Sequence, residues 1–170
     1  MNFTRKELIE TDATMNQMRN SIHILVSLME KNGIKDSKDR LRKMGKNIAR
    51  TYLHYWKPTD KVNMSNLKDV ITTIYQKILN SSVSVEMDTA DNIVRVQDHS
   101  CSLCKYHYED VEIAGCEILL GLISEYITLL NKESFESAPI FLEPDKVIDS
   151  RAYGNKSCIQ VFKYKIGKEG

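Results

Sequence analysis

The sequence has little that ties it to a membrane, a nucleotide or an export route. No uninterrupted apolar run approaches the ~18–20 residues that span a bilayer, and the most apolar stretch, VEIAGCEILLGLISEYITLL, carries three glutamates. Neither a Gly-x-Gly-x-x-Gly after a strand nor a Walker-type loop is present, so no dinucleotide or nucleotide-phosphate site is indicated. An excess of charge of one sign is missing too: 24 Lys and Arg stand against 23 Asp and Glu, which gives no global pull toward nucleic acid. The opening MNFTRKELIETDATM lacks a basic head followed by an apolar block, so a signal peptide is not expected. The expectation is a cytoplasmic protein whose cysteines are thiols or thiolates rather than disulfides. Proline is scarce, three in 170 residues, but that scarcity decides nothing about function. No internal repeat or low-complexity linker divides the chain.

At 42% hydrophobic residues, 170 positions can bury one substantial core. Thr4 and Glu7 form a capping box that opens a first helix. Met15, Met18, Ile22, Leu25 and Met29 then recur at alternating three- and four-residue steps, with Gly33 as the stop. That stripe suits packing within the chain or against a second copy. A second helix starts near Asp36 or Ser37, shows Leu41, Met44, Ile48, Tyr52 and Leu53 on one side, and ends before Pro58. Residues 31 to 50 hold eight Lys or Arg against two Asp: a solvated basic face, with phosphate contact as the sharper alternative. Ser65 caps a third helix that Asn80 closes.

The period then changes. SSVSVEMD alternates polar and apolar, TADN is a turn, and IVRVQ follows, so residues 82 to 97 form a hairpin. A fourth helix, 111 to 131, is apolar on more than one face and belongs at the centre. Its Gly115 and Gly121 imply a close approach to the backbone. The stretch NKESFESAPIFLEPDK is a loop ending at Pro144. VIDSRAY and CIQVFKYKI form a second hairpin, with Cys158, Gln160, Phe162, Tyr164 and Ile166 on one face of the last strand. Three helices, a hairpin, a central helix and a hairpin predict an α+β layer fold in which both hairpins share one antiparallel sheet.

The chemistry gathers in DHSCSLCKYHYEDVEIAGCE, residues 98 to 117, with three of the four cysteines. Cys101-x-x-Cys104 offers two sulfurs from one tight turn, half of a tetrahedral zinc site. If the second hairpin packs beside the start of the central helix, Cys116 and Cys158 complete it; His99 and His107 are the substitutes. Two other readings stay open. Cys116 and Cys158 can be small buried hydrophobes, or the pair can be a redox couple, against which KYHYED separates it from the following helix. The spacing fits neither common ferredoxin pattern. Glu112, Glu117 and Glu125 read as surface ion-pair positions, and His23 as a satisfied face residue. His54 sits in an aromatic patch with Tyr52, Tyr55 and Trp56. No catalytic constellation is present.

Residues 65 to 166 resemble the 4-vinyl reductase domain family, related in fold to TRAPP vesicle-tethering subunits and haem nitric-oxide-binding domains. Two segments carry the resemblance: CEILLG, from Cys116 to Gly121, and DSRAYGNKSCIQVF, with Asp149, Gly154, Cys158 and Phe162 at the family spacing. The N-terminal helices resemble those preceding such domains in archaeal and bacterial members. Where many members have a second cysteine four positions before the signature glycine, this chain has Ser150.

The resemblance implies an α+β domain that dimerises and encloses a pocket for a small apolar ligand. The expectation is therefore a dimerising helical region over 1–60 and a small-molecule-binding domain over 61–170, packed as one unit. It holds zinc through Cys101, Cys104, Cys116 and Cys158, and lines a pocket with Leu119, Leu120, Ile123, Phe162 and Tyr164. Binding or sensing rather than catalysis is expected, in a homodimer without nucleic acid or membrane insertion. The alternatives are an enzyme or accessory factor of tetrapyrrole-type metabolism, and a DNA-associated or thiol-redox regulator.

Overall fold

The computed structural model describes residues 4–58, 61–132 and 139–167. Helix α1 (Arg5–Lys31) opens on the expected reciprocal cap, in which the Thr4 hydroxyl accepts from the Glu7 amide and the Glu7 carboxylate accepts from the Thr4 amide. Helices α2 (Ser37–Leu53) and α3 (Leu67–Leu79) follow. The entry to α3 differs from expectation: the Asn63 side chain accepts from the Ser65 and Asn66 amides, and Asn66, not Ser65, is the cap residue. Asn80 closes α3 in the left-handed region, at φ 49°.

Strands β1 (Val83–Asp88) and β2 (Ile93–Asp98) make the first hairpin. Strands β3 (Ile140–Asp149) and β4 (Cys158–Ile166) make the second, around a short 3-10 turn at Arg151–Tyr153. The four strands form one antiparallel sheet ordered β1-β2-β4-β3. Central helix α4 spans Glu117–Lys132. It begins six residues later than the sequence pattern suggests, because 111–116 fold as turns that present Cys116 at its mouth. Strand β3 begins at Ile140, inside the stretch read as a loop; the remainder of that loop, 133–138, lies outside the described residues.

One sheet face is apolar. Val94, Val96, Phe162, Tyr164 and Leu142 are buried along it, while Arg95, Gln97, Lys163 and Lys165 occupy the other face in solvent. Helices α3 and α4 cover the apolar face, and α2 packs on α4 as a second layer. Two glycines let α2 and α4 approach backbone to backbone. A Cβ on Gly45 would sit 1.9 Å from the Ile118 carbonyl oxygen, and one on Gly121 would sit 1.9 Å from that of Arg42. Gly121 thus has the close approach expected of it. The side of α2 that is buried carries Leu41, Gly45 and Ala49, whereas Met44 and Tyr52 stay exposed. Glu117 is not a surface residue: it is buried and accepts from Arg42 at 2.7 Å, while Glu125 pairs with Arg50 at 2.9 Å.

Helix α1 departs most from its apolar stripe. Met29 is buried, but Met18, Leu25 and Leu28 face outward at 50%, 39% and 53% exposure. Val26 is buried with Met29, and so are the polar Arg19, His23 and Ser27. The partner of this helix is a loop rich in backbone carbonyls and hydroxyls, so its inner face sets polar side chains beside Val26 and Met29.

Candidate metal centre

The register of the sheet assembles the site. Asp98, the last residue of β2, pairs with Cys158, the first of β4. Three residues after Asp98 the chain turns through Cys101 and Cys104, so the Cys-x-x-Cys turn lies against the start of β4. The sulfurs of Cys101, Cys104 and Cys158 all lie within 4.8 Å of one another. A tetrahedral zinc–thiolate site with bonds of ~2.3 Å places its sulfurs roughly 3.8 Å apart, so the three are near the spacing the ion needs. Cys116 falls outside that tight triad but touches it. Its thiol donates to the Ser150 hydroxyl at 3.7 Å, that hydroxyl lies 3.7 Å from the Cys158 sulfur, and the Cys116 side chain interacts with those of Cys101, Cys104 and Cys158. All four cysteines are free and buried.

Polar groups aim at the sulfurs. The Arg151 amide donates to Cys158 Sγ at 3.4 Å, and Ser150 bonds both Cys116 and Cys158. A backbone amide donating to a buried sulfur is the contact that favours a thiolate, here at Cys158. The electrostatics agree. Hydrogen bonds from Cys101, Cys104 and Cys116, with that of the Arg151 amide, hold the Cys158 thiol far below its ordinary range. Cys101 is pushed up by Cys104 first, then by Cys116, Cys158 and burial. For Cys116 a hydrogen bond from Cys101 works the other way and is outweighed by Cys104, Cys158 and burial, so it too rises. Negative charge therefore collects at one end of a crowded sulfur cluster, which a divalent cation would relieve.

A buried polar group adjoins the sulfurs. The Tyr75 hydroxyl donates to Gln160 Oε1, and Asp98 accepts from the Ser100 amide at 3.1 Å. Burial first of all pushes the Asp98 carboxyl up to about 6. His99 turns to the Ser84 hydroxyl at 3.2 Å, and His107 is exposed beside Gly154; neither belongs to the sulfur triad.

Sequence reasoning missed the seat of α1. Asn16 and Asn20 accept from the hydroxyls of Tyr106 and Tyr108 at 3.3 and 3.1 Å. Arg19 donates to the Ser102 carbonyl, and the His23 imidazole, through Nε2, donates to that of Leu103 at 3.2 Å. Ser27 and Lys31 both meet Asp110, at 3.1 and 3.8 Å. The steps from 16 through 19 and 20, 23, 27 and 31 follow one helical face. A polar rather than apolar stripe was the available signal. His23 stacks on Tyr108 with centroids 3.8 Å apart, and a groove of about 330 Å³ opens beside them, bordered by Ile24, Leu28 and Lys31. Leu119, Leu120, Ile123, Phe162 and Tyr164 lie together in the central core between α4 and the sheet.

The class these features define is an α+β domain of TRAPP-subunit-like fold built around a buried cysteine cluster. Among solved structures, the chain is similar to a trafficking protein particle complex subunit 3 from Naegleria fowleri covalently bound to palmitic acid. The TM-score is 0.64 at 12% identity, over 93% of this chain and 99% of that one. It is also similar to the phenol-responsive sensory domain of the transcription activator PoxR with phenol, at a TM-score of 0.50 and 12% identity, over 85% and 73% of the two chains. These likenesses show the fold. No family model matches the sequence, and no curated protein matches it.

Proposed function

We propose that the chain is a zinc-stapled, non-catalytic module of the 4-vinyl reductase type, archaeal in kind and cytoplasmic, that binds or senses a small apolar molecule. The observation that carries the metal reading is the buried sulfur cluster, into which the Arg151 amide donates and in which the Ser150 hydroxyl bridges Cys116 and Cys158. Cys101, Cys104, Cys116 and Cys158 are the ligands. Four thiolates leave no open position for a reacting water, so the ion ties the Cys-x-x-Cys turn, the mouth of α4 and the start of β4 together. The test is elemental analysis with thiol titration before and after chelation. One zinc per chain and four masked thiols are expected; four freely reactive thiols without metal overturn the reading.

For the ligand, support comes from the fold shared with the phenol-sensing domain. Its place is the apolar layer between α4 and the sheet, against Leu119, Leu120, Ile123, Phe162 and Tyr164, which part to admit it because they are fully packed. A second place is favoured by a specific observation, the groove between α1 and Tyr108. Methyl resonances separate the two during a phenol titration: Leu119 and Ile123 shift in the first case, Ile24 and Leu28 in the second. No saturable shift at either set removes the sensing reading. Residues 1–60 serve as the dimerising region of a homodimer, supported by the exposed line of Met18, Leu25 and Leu28 on α1.

A further inference from the structure

The two residues between Cys101 and Cys104 carry the carbonyls that α1 binds. Arg19 donates to Ser102 and His23 to Leu103, and both donors are buried, at 8% and 2% exposure. A Cys-x-x-Cys turn chelates only when its backbone holds both sulfurs toward one point, and those two peptide groups set that backbone. Arg19 also brings a positive charge to the outside of that turn. The remaining tethers of α1, to Tyr106, Tyr108 and Asp110, continue along the same loop. The loop that binds the ion is therefore also the seat of the first helix.

We propose that Arg19 and His23 are positioning residues for the metal turn, and that binding of the ion and docking of α1 are energetically coupled through them. This rests on the zinc reading above. Coupling is reciprocal: whatever factor the docked helix adds to metal affinity, the metal adds to docking of the helix. Outer-shell partners of a metal site typically change affinity by about 10–100-fold, and that range is expected for the pair together. Loss of the ion, by chelation or by oxidation of the thiolates, then loosens α1 while α2, α3, α4 and the sheet stay folded. The line of Met18, Leu25 and Leu28 travels with that helix, so the metal state of the loop governs what the outer face of α1 can meet.

The experiment uses the full chain and two readouts. Zinc affinity is measured by competition with a chromophoric chelator for wild type, for Arg19→Met with His23→Phe, and for the conservative pair Arg19→Lys with His23→Gln. The first double variant keeps the side-chain bulk and the stack on Tyr108 but removes both donors. Hydrogen exchange is then followed with and without zinc. Expected are a 10–100-fold weaker affinity in the Met/Phe variant and substantial recovery in the Lys/Gln variant. Faster exchange over 16–31 after zinc removal is also expected, with α4 amides unchanged. Unchanged α4 protection in the variants shows that they fold. Equal zinc affinity in all three proteins, or protection of α1 indifferent to zinc, overturns the coupling while leaving the metal site intact. A wild type that binds no zinc overturns the metal reading, and this inference with it.

Discussion

At the scale of single residues, His23 shows how burial turns a side chain into a pH-dependent strut. Burial lowers its pKa below 6.5, and the Leu103 carbonyl and the charge of Asp110 oppose that shift only in part. The unfolded chain then takes up a proton more readily than the folded one. The stability His23 contributes is full above about 6.5 and is lost as pH falls through that value toward the lower folded pKa. Urea midpoints measured from pH 8 to 5 should show wild type losing its advantage over His23→Gln in that window. A difference independent of pH would mean that the imidazole does not titrate there. The cysteines teach a second lesson at this scale. Cys101 and Cys104 were legible as a candidate pair because their spacing is local. Their meeting with Cys158 depends on the pairing of Asp98 with Cys158, and no local pattern encodes the register between strands sixty residues apart.

At the scale of elements, the α2–α4 contact makes the sharpest claim. With a Cβ at Gly45 or Gly121 only 1.9 Å from a carbonyl oxygen of the facing helix, alanine forces the two helices apart. Overpacking of this kind costs about 3 kcal/mol. Gly45→Ala should lower the melting temperature by about 10 °C for a chain of this size, whereas Gly33→Ala, which meets no neighbour, should cost only the strain of its positive φ. Equal effects would contradict the close approach.

The elements also show which signals the sequence carries. Caps and stops at Thr4, Gly33 and Asn80 were legible because they act within a few residues. The start of α4 was not, since Val111, Ile113 and Ala114 keep an apolar rhythm through the turns that lead to Cys116. The first part of β3, from Ile140, was hidden by Pro144. It sits on the sheet edge next to a register shift, where a missing amide donor breaks no ladder.

At the scale of the whole molecule, α1 has two unlike faces. The inner one sets polar tethers to the 101–110 loop beside the buried Val26 and Met29, and the outer one leaves Met18, Leu25 and Leu28 in solvent seven and three residues apart. That spacing predicts self-association. Leu25→Glu with Leu28→Glu should sediment as a monomer under conditions where wild type is a dimer, with unchanged zinc content. A monomeric wild type would remove the homodimer. The apolar periodicity of α1 was legible, but not which face meets its own chain, because its inner partner is a loop whose carbonyls and hydroxyls appear only once the chain has folded.

X-ray absorption at the zinc edge examines the account at its centre. Four sulfur scatterers at about 2.3 Å, reduced to three with one lighter atom in Cys116→Ser, are the predicted result. A first shell of nitrogen and oxygen near 2.0 Å, or a spectrum unaltered by Cys116→Ser or Cys158→Ser, would contradict it.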